Sequence, residues 1–460
     1  MTEVTARLAE FTSGLDWERV PERVRAIVRG MVRDCLGVAM AGSLEPEFLR
    51  LKSVEPCTGD SVTGLQEAGS LAVLVSTAAH ALDYDDIHLA MGGHPSSVVI
   101  GAVLAAADEV DATAADTYAG FLAGVETAAR IGRAISAGHY HVGWHPTSVI
   151  GALAAAVGAA RVMRLDTLQT QRALGLAAAM ASGTKANFGT FAKPLQVGSA
   201  SRAGLVSAFY SRAGLTANET ILDDQHGGFT QLFTESVDEA AIVGDLGVSY
   251  SITEPDPVIK LMPACGGVHA ASWAAIDLAE DLDLHPDQVA SIDVEVHSKR
   301  IPHTNRPTIV SGLEGKFSTQ YCVAVAITQR RVTLADFDND VIFEGARQSV
   351  MRKTTLRAAP DADEWPGATE YSTGTRGARV TVELVDGTRH QRFLGAAPGY
   401  PGNQATEIQL EGKFLDCVSR AASEVEARRW YGDLAQDGVA GRQAMRQIAH
   451  AIACARPQDF

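Results

Sequence analysis

"HPSSVVIGAVLAAA" spans His94–Ala107 and "HPTSVIGALAAA" spans His145–Ala156. Both open on His-Pro, follow with a hydroxyl residue and run into an Ala-rich apolar segment. Proline is favoured at the first position of a helix, where its missing N–H would have had no partner anyway. Each stretch therefore predicts a helix that starts at its proline, with the histidine at the mouth. Free backbone N–H groups and the positive end of the helix dipole gather there. An anion is favoured beside such a mouth, and an imidazole held there is biased toward its neutral form. Ala and Gly at this density allow close helix contact and predict helices buried on several sides.

Polar residues surround both mouths. Upstream of His94, "HALDYDDIHLAMGG" carries His80, Asp83, Asp85, Asp86 and His88. His80 and Asp83 are expected on one helix face at i, i+3, with Gly92-Gly93 breaking that helix so that His94 turns inward. Upstream of His145 stand His139 and His141, so six of the 13 histidines fall between His80 and His145. One such segment alone reads as an ordinary helix entry. Two of them in polar surroundings mark the region to search for a site.

Outward from this centre the first half reads as helix. Val24, Ile27, Val28, Met31, Val32, Cys35 and Leu36 form a 3.6-residue stripe, with Arg25, Arg29 and Arg33 on the opposite face. The pattern changes after "EPDP" (254–257). "SIDVEVH" and "ARVTVELVDGTRHQRF" alternate with period two, and Asp386-Gly387 predicts a two-residue hairpin turn. "FSTQYCVAVAITQRRV" between them reads as helix. The fold class expected is mainly α: a large all-α domain over 1–254, completed by 400–460, and a smaller α+β lid domain over 255–399.

The chain has 460 residues, more than one core usually serves. Its formal charge of −16 makes nucleic acid and anionic membranes poor partners. An anionic substrate would be held by a few local cations, since distant charges are screened beyond about 10 Å. Six scattered cysteines form no C-x-x-C pair, against a zinc finger or a disulfide framework. "MTEVTARLAEF" has no apolar signal core and no stretch reaches about 18 uninterrupted apolar residues. A cytoplasmic protein is expected.

"FGTFAKPLQVGSASRAGL" and "IKLMPACGGVHAA" add Lys193 and Lys260 in Gly- and Pro-punctuated settings. With "HALDYDDIHLAMGGHPSS", "GWHPTSVIGA", "DDQHGGF" and "LEGKFSTQY", the chain resembles, over nearly its whole length, the MmgE/PrpD family of 2-methylcitrate dehydratase, cis-aconitate decarboxylase and iminodisuccinate epimerase. The resemblance implies a helical domain with an α+β lid, a homodimer with its site in the cleft between the domains, and neither metal nor organic cofactor. It implies Asp83, His94, His145, Lys193 and Tyr321 as catalytic residues, with Lys260, Gln196 and Cys265 at the substrate. Three positions depart from the family's pattern. Ile87 stands where threonine is common, Gln196 where histidine is common after Lys-Pro-Leu, and Cys265 where the decarboxylase has histidine. The loss of polar groups favours a smaller or less charged substrate than a tricarboxylate.

The reactions of that family share a proton transfer at a carbon next to a carboxylate, which calls for preorganised positive partners around an enolate-like species. Lys193, Lys260 and the helix mouths suit that need. Either His94 or His145 serves as base, with the other or Tyr321 as acid. The expected function is a cofactor-independent, dehydratase-type lyase on a small carboxylate, with epimerisation or decarboxylation as alternatives. A metal-dependent hydrolase built on Asp85, Asp86, His88 and His94 is a further alternative, although no H-E-x-x-H spacing supports it. An inactive scaffold on the same fold is the last, and retention of the full residue set counts against it.

Overall fold

The computed structural model describes residues 3–55, 57, 64–135, 142–234, 236–254, 256–365 and 376–453. The chain divides into two compact units, residues 1–259 with 407–460, and residues 260–406. Among the described residues no helix is long and apolar enough to cross a membrane.

The larger unit is helical, and both His-Pro segments do start helices. Pro95–Glu109 is capped by His94 and Pro146–Val162 by His145, with each proline in the first turn. These two helices pack against each other and against Ala192–Arg212, and Pro95–Glu109 also packs against Leu65–Ala81. Small residues let them approach. A Cβ at Gly101 would lie 2.4 Å from the Ala72 carbonyl oxygen, and one at Gly151 would lie 2.6 Å from a Val98 methyl. The doubled motif is thus two faces of one contact. Leu104, Val149, Ile150 and Leu153 are buried there, each contributing about 1.5–3 kcal/mol by leaving water.

The stripe beginning at Val24 forms the helix Glu22–Gly42. Arg29 on its far face is not simply solvated, since it reaches Asp437 at 3.0 Å. The helix Glu407–Val418 packs on this one, with Phe414 filling the space beside Gly37. Its Lys413 pairs with buried Asp34 at 2.6 Å and donates to the Tyr84 carbonyl at 2.9 Å.

The smaller unit is a four-stranded sheet with helices. The order is β2 (Thr354–Ala358), β1 (Val289–Val296), β3 (Ala378–Leu384) and β4 (Arg389–Leu394). β1 runs parallel to β2 and antiparallel to β3. Ile292, Val294, Val380 and Val382 join one buried cluster with Ala271, Ala275 and Val323, which lie on the helices His269–Asp281 and Thr319–Gln329. The other face of β1 carries Asp293 and Glu295. Arg357 meets both and Arg379 meets Glu295 at 2.9 Å.

The hairpin differs from its expected form. The Leu384 N–H donates to the Thr388 carbonyl and the Gly387 N–H to the Leu384 carbonyl. The loop therefore has three residues, Val385–Gly387, with Gly387 at φ +87°. A two-residue type I′ turn needs positive φ at both central positions, whereas this form needs it only at the glycine.

Candidate active site

The helix Leu65–Ala81 delivers His80 at its last turn. His80 and Asp83 do not share a helix face, contrary to the i, i+3 expectation. The helix ends at Ala81, and Asp83 lies beyond it at φ +53°, a conformation that aspartate tolerates better than most residues. Gly92-Gly93 consequently breaks no helix. It closes the loop that returns the chain to His94, and Gly92 takes φ +66°. This loop gathers the polar side chains.

Asp85 is the hinge of the cluster and is fully buried. Its Oδ2 lies 2.7 Å from His80 Nδ1 and its Oδ1 lies 3.3 Å from His94 Nδ1. Burial opposes its ionisation, but the two imidazoles outweigh that and hold the carboxyl well below its usual range. Burial, and then the charge on Asp85, push the neighbouring Asp86 up to about 8. Asp86 is therefore neutral at pH 7, and it accepts the Ser96 hydroxyl at 2.8 Å.

Three imidazoles lie together. His80 sits 4.7 Å from His94, edge to face, and 5.8 Å from His145, stacked. Burial lowers His80 to about 4 despite the pull of Asp85. Burial also lowers His145 strongly, helped by His80 and Lys193. His145 is thus held as a neutral ring. Phe188 meets its ring edge-on at 5.0 Å.

The two mouths are tied by the hydroxyl behind the second proline. The His94 backbone N–H donates to Thr147 Oγ1 at 3.1 Å. The His145 N–H donates to the Gly183 carbonyl at 3.1 Å. Ser148 Oγ donates to the Ser182 carbonyl and to the Gln196 carbonyl, and the Gln196 amide pairs with the backbone of Thr184 in both directions. Gln196 therefore pins the loop that positions His145.

Lys193, in the first turn of Ala192–Arg212, donates from Nζ to Asp83 Oδ1 at 2.7 Å. Its Nζ lies 5.4 Å from the Phe188 ring. The larger unit thus brings Asp83, His94, His145 and Lys193 together with His80 and Asp85.

The smaller unit holds the rest. Lys260 is its first residue and is buried. Cys265 is half-buried, with its backbone N–H on the Lys316 carbonyl. Tyr321 is fully buried in the packed core of this unit. Its hydroxyl donates to the Asp336 carbonyl and meets Arg347 at 3.3 Å. Burial pushes it up to about 12.

The four residues of the metal alternative divide, with Asp85 and His94 staying together while Asp86 and His88 face other partners. His88 Nε2 faces the Ser251 carbonyl at 3.0 Å, and Asp86 faces Ser96. Among the described residues, the donors that lie close enough to share an ion are His80, Asp85 and His94. His139, His141 and Pro255 fall outside the described residues.

The MmgE/PrpD N-terminal domain matches residues 6–240 and the MmgE/PrpD C-terminal domain matches residues 262–431. The chain belongs to the MmgE/PrpD family. Similar proteins include the cis-aconitate decarboxylase of Aspergillus terreus, 27% identical over 84% of this chain and 83% of that protein. The cis-aconitate decarboxylase of Homo sapiens is 25% identical over 92% of this chain and 89% of that protein, and that of Mus musculus is 24% identical over 91% and 88%.

Membership of MmgE/PrpD puts the geometry in order. His80, Asp85 and Phe188 complete the cluster, and their absence from the expected site set has a physical cause. His80 and Asp85 are five residues apart across a helix end, a spacing that no periodicity marks. Phe188 carries no local pattern that sets it apart from other loop aromatics. The one available signal was the density of imidazole and carboxylate groups in "HALDYDD".

Proposed function

We propose that this MmgE/PrpD chain is a lyase that moves a proton at a carbon next to a carboxylate of a small polycarboxylate, with carbon dioxide as the leaving group. The observation that carries the reading is the clustering of His94, His145, His80 and Lys193 around the buried Asp85 and Asp83. Proteins named cis-aconitate decarboxylase that align over 83–89% of their own length support the carboxy-lyase form.

His94 is the proton-transfer group in this reading. Its Nδ1 faces Asp85, which leaves Nε2 for the substrate. His94 first takes a proton from solvent on Nε2, with Asp85 partnering the resulting imidazolium through Nδ1. As the C–CO2 bond breaks, its electron pair moves into the carbon skeleton and forms the new C–H bond with that proton, which returns the ring to its neutral Nδ1–H form. His145, a neutral donor, and Lys193 stabilise the developing negative charge, each worth several kcal/mol when preorganised in a dry site. Lys260 and Cys265 enter through the family resemblance as substrate-side residues.

A hydro-lyase acting on a 2-methylcitrate-like substrate is the second reading. The departures leave room for it, because Ile87 offers no hydroxyl and Gln196 is occupied by the Thr184 backbone, so the site does not repeat the family's pattern. The test is incubation with cis-aconitate, 2-methylcitrate and citrate, followed by proton NMR. Loss of one carbon from cis-aconitate is expected. Dehydration of a hydroxy acid without release of carbon dioxide selects the second reading, and no turnover of any of the three removes both.

A further inference from the structure

We propose that Asp85 and His80 are positioning residues, whose shared contact fixes His94 in the tautomer that carries its proton on Nδ1 and leaves Nε2 to exchange protons with substrate. The part concerning turnover rests on the lyase reading, whereas the tautomer does not.

A carboxylate with no exposure is costly unless both oxygens are satisfied. Asp85 has one ring nitrogen on each side, at 2.7 Å and 3.3 Å, and both are Nδ1. The His80 contact is a hydrogen bond, whereas the His94 contact is close but falls outside hydrogen-bond geometry. An ionised carboxylate only accepts, so His80 presents N–H to it and we assign the same N–H to His94. Each neutral ring then keeps its lone pair on Nε2. His80 is buried at 1% exposure and lies between the rings of His94 and His145. It holds the second oxygen of Asp85, so that the carboxylate cannot rotate away from His94. The charged or titratable groups gathered around His94 are His80 on the preceding helix, Asp83, Asp85 and Asp86 on the loop, His145 on the second mouth, and Lys193. Asp85 is the carboxylate among them that contacts the ring.

The experiment uses the full chain with nitrogen-15-labelled histidine, the His94 signals being identified by their loss in His94→Gln. Wild type is expected to show His94 protonated on Nδ1 at pH 7.5. Asp85→Asn should shift that proton to Nε2 and lower kcat on the order of 10²- to 10⁴-fold, as when an orienting carboxylate is lost from a catalytic histidine, with KM within about threefold. His80→Ala, which removes the donor to Asp85, should loosen the tautomer and lower kcat on the order of tenfold or more. His80→Asn, whose side-chain amide can still donate to Asp85, should recover most of what His80→Ala loses. His80→Ala with tautomer and kcat unchanged would remove His80 from the proposal. A wild-type His94 protonated on Nε2 would overturn the proposal. So would Asp85→Asn with tautomer and kcat unchanged. If Asp85→Asn does not fold, wild type and the two His80 variants decide. An Nδ1-protonated His94 in a protein that turns over no polycarboxylate refutes the lyase reading and leaves the positioning role standing.

Discussion

Lys193 donates to Asp83 at 2.7 Å, joining the first turn of one helix to a left-handed residue beyond the end of another. Both side chains are nearly buried, at 11% and 12% exposure. The contact fixes an ammonium group beside His145.

Lys193→Met should therefore lower kcat on the order of 10²- to 10³-fold, the usual cost of one lost charge-stabilising donor. It also leaves Asp83 without this partner in a dry setting, so stability should fall by about 3 kcal/mol. Steady-state kinetics and urea unfolding read the two effects separately. Unchanged kcat would remove Lys193 from the chemistry.

Thr147 links the two mouths through the His94 N–H. Thr147→Val keeps the shape and deletes the acceptor, so a buried donor loses its partner at a cost of about 1–3 kcal/mol. Because the lost bond orients His94, kcat should drop together with the thermal midpoint. Thr147→Ser, which keeps the hydroxyl, should restore most of both.

Gly101 sits where the Pro95–Glu109 helix crosses Leu65–Ala81. A methyl group there meets a backbone carbonyl, which cannot swing aside. Gly101→Ala is expected to destabilise the fold by about 1–3 kcal/mol, although alanine is the better helix former. A raised thermal midpoint would contradict the close-packing account.

Acid should weaken the protein in a defined window. His80 and His88 titrate near 4 in the fold against an ordinary 6.5, both because of burial. Below pH 6.5 the unfolded chain binds these protons and the folded chain does not. Stability is thus full above about 6.5 and is lost as pH falls toward 4, at up to about 1.4 kcal/mol per pH unit per group. His88→Gln, which can keep a donor toward the Ser251 carbonyl, should flatten part of that slope in thermal scans. Asp86 acts in the opposite sense. Its folded value near 8 penalises folding increasingly from about pH 4 to pH 8, so Asp86→Asn should stabilise more at pH 8 than at pH 5.

The helical half, the strand alternation and the two mouths were legible in the sequence because each has a local cause. Proline at the first turn sets the mouths, and apolar spacing of two or 3.6 sets the elements. Asp83 was misassigned to a helix because "HALDYDD" contains no Gly or Pro to announce that the helix ends at Ala81. The hairpin was misassigned because Asp-Gly suits two turn types, and the preceding Val385 decides between them. The roles of Gln196 and Tyr321 depend on tertiary partners, Thr184 and Asp336, which no local pattern encodes.

The most direct test of the central claim follows cis-aconitate with the purified full chain in deuterated water by NMR, alongside His94→Gln. One deuterium should enter the carbon skeleton for each molecule of carbon dioxide released, and His94→Gln should abolish both events while keeping its circular dichroism. Turnover at the wild-type rate in His94→Gln, or product formed without any deuterium, would contradict proton transfer by the ring at the mouth of Pro95–Glu109.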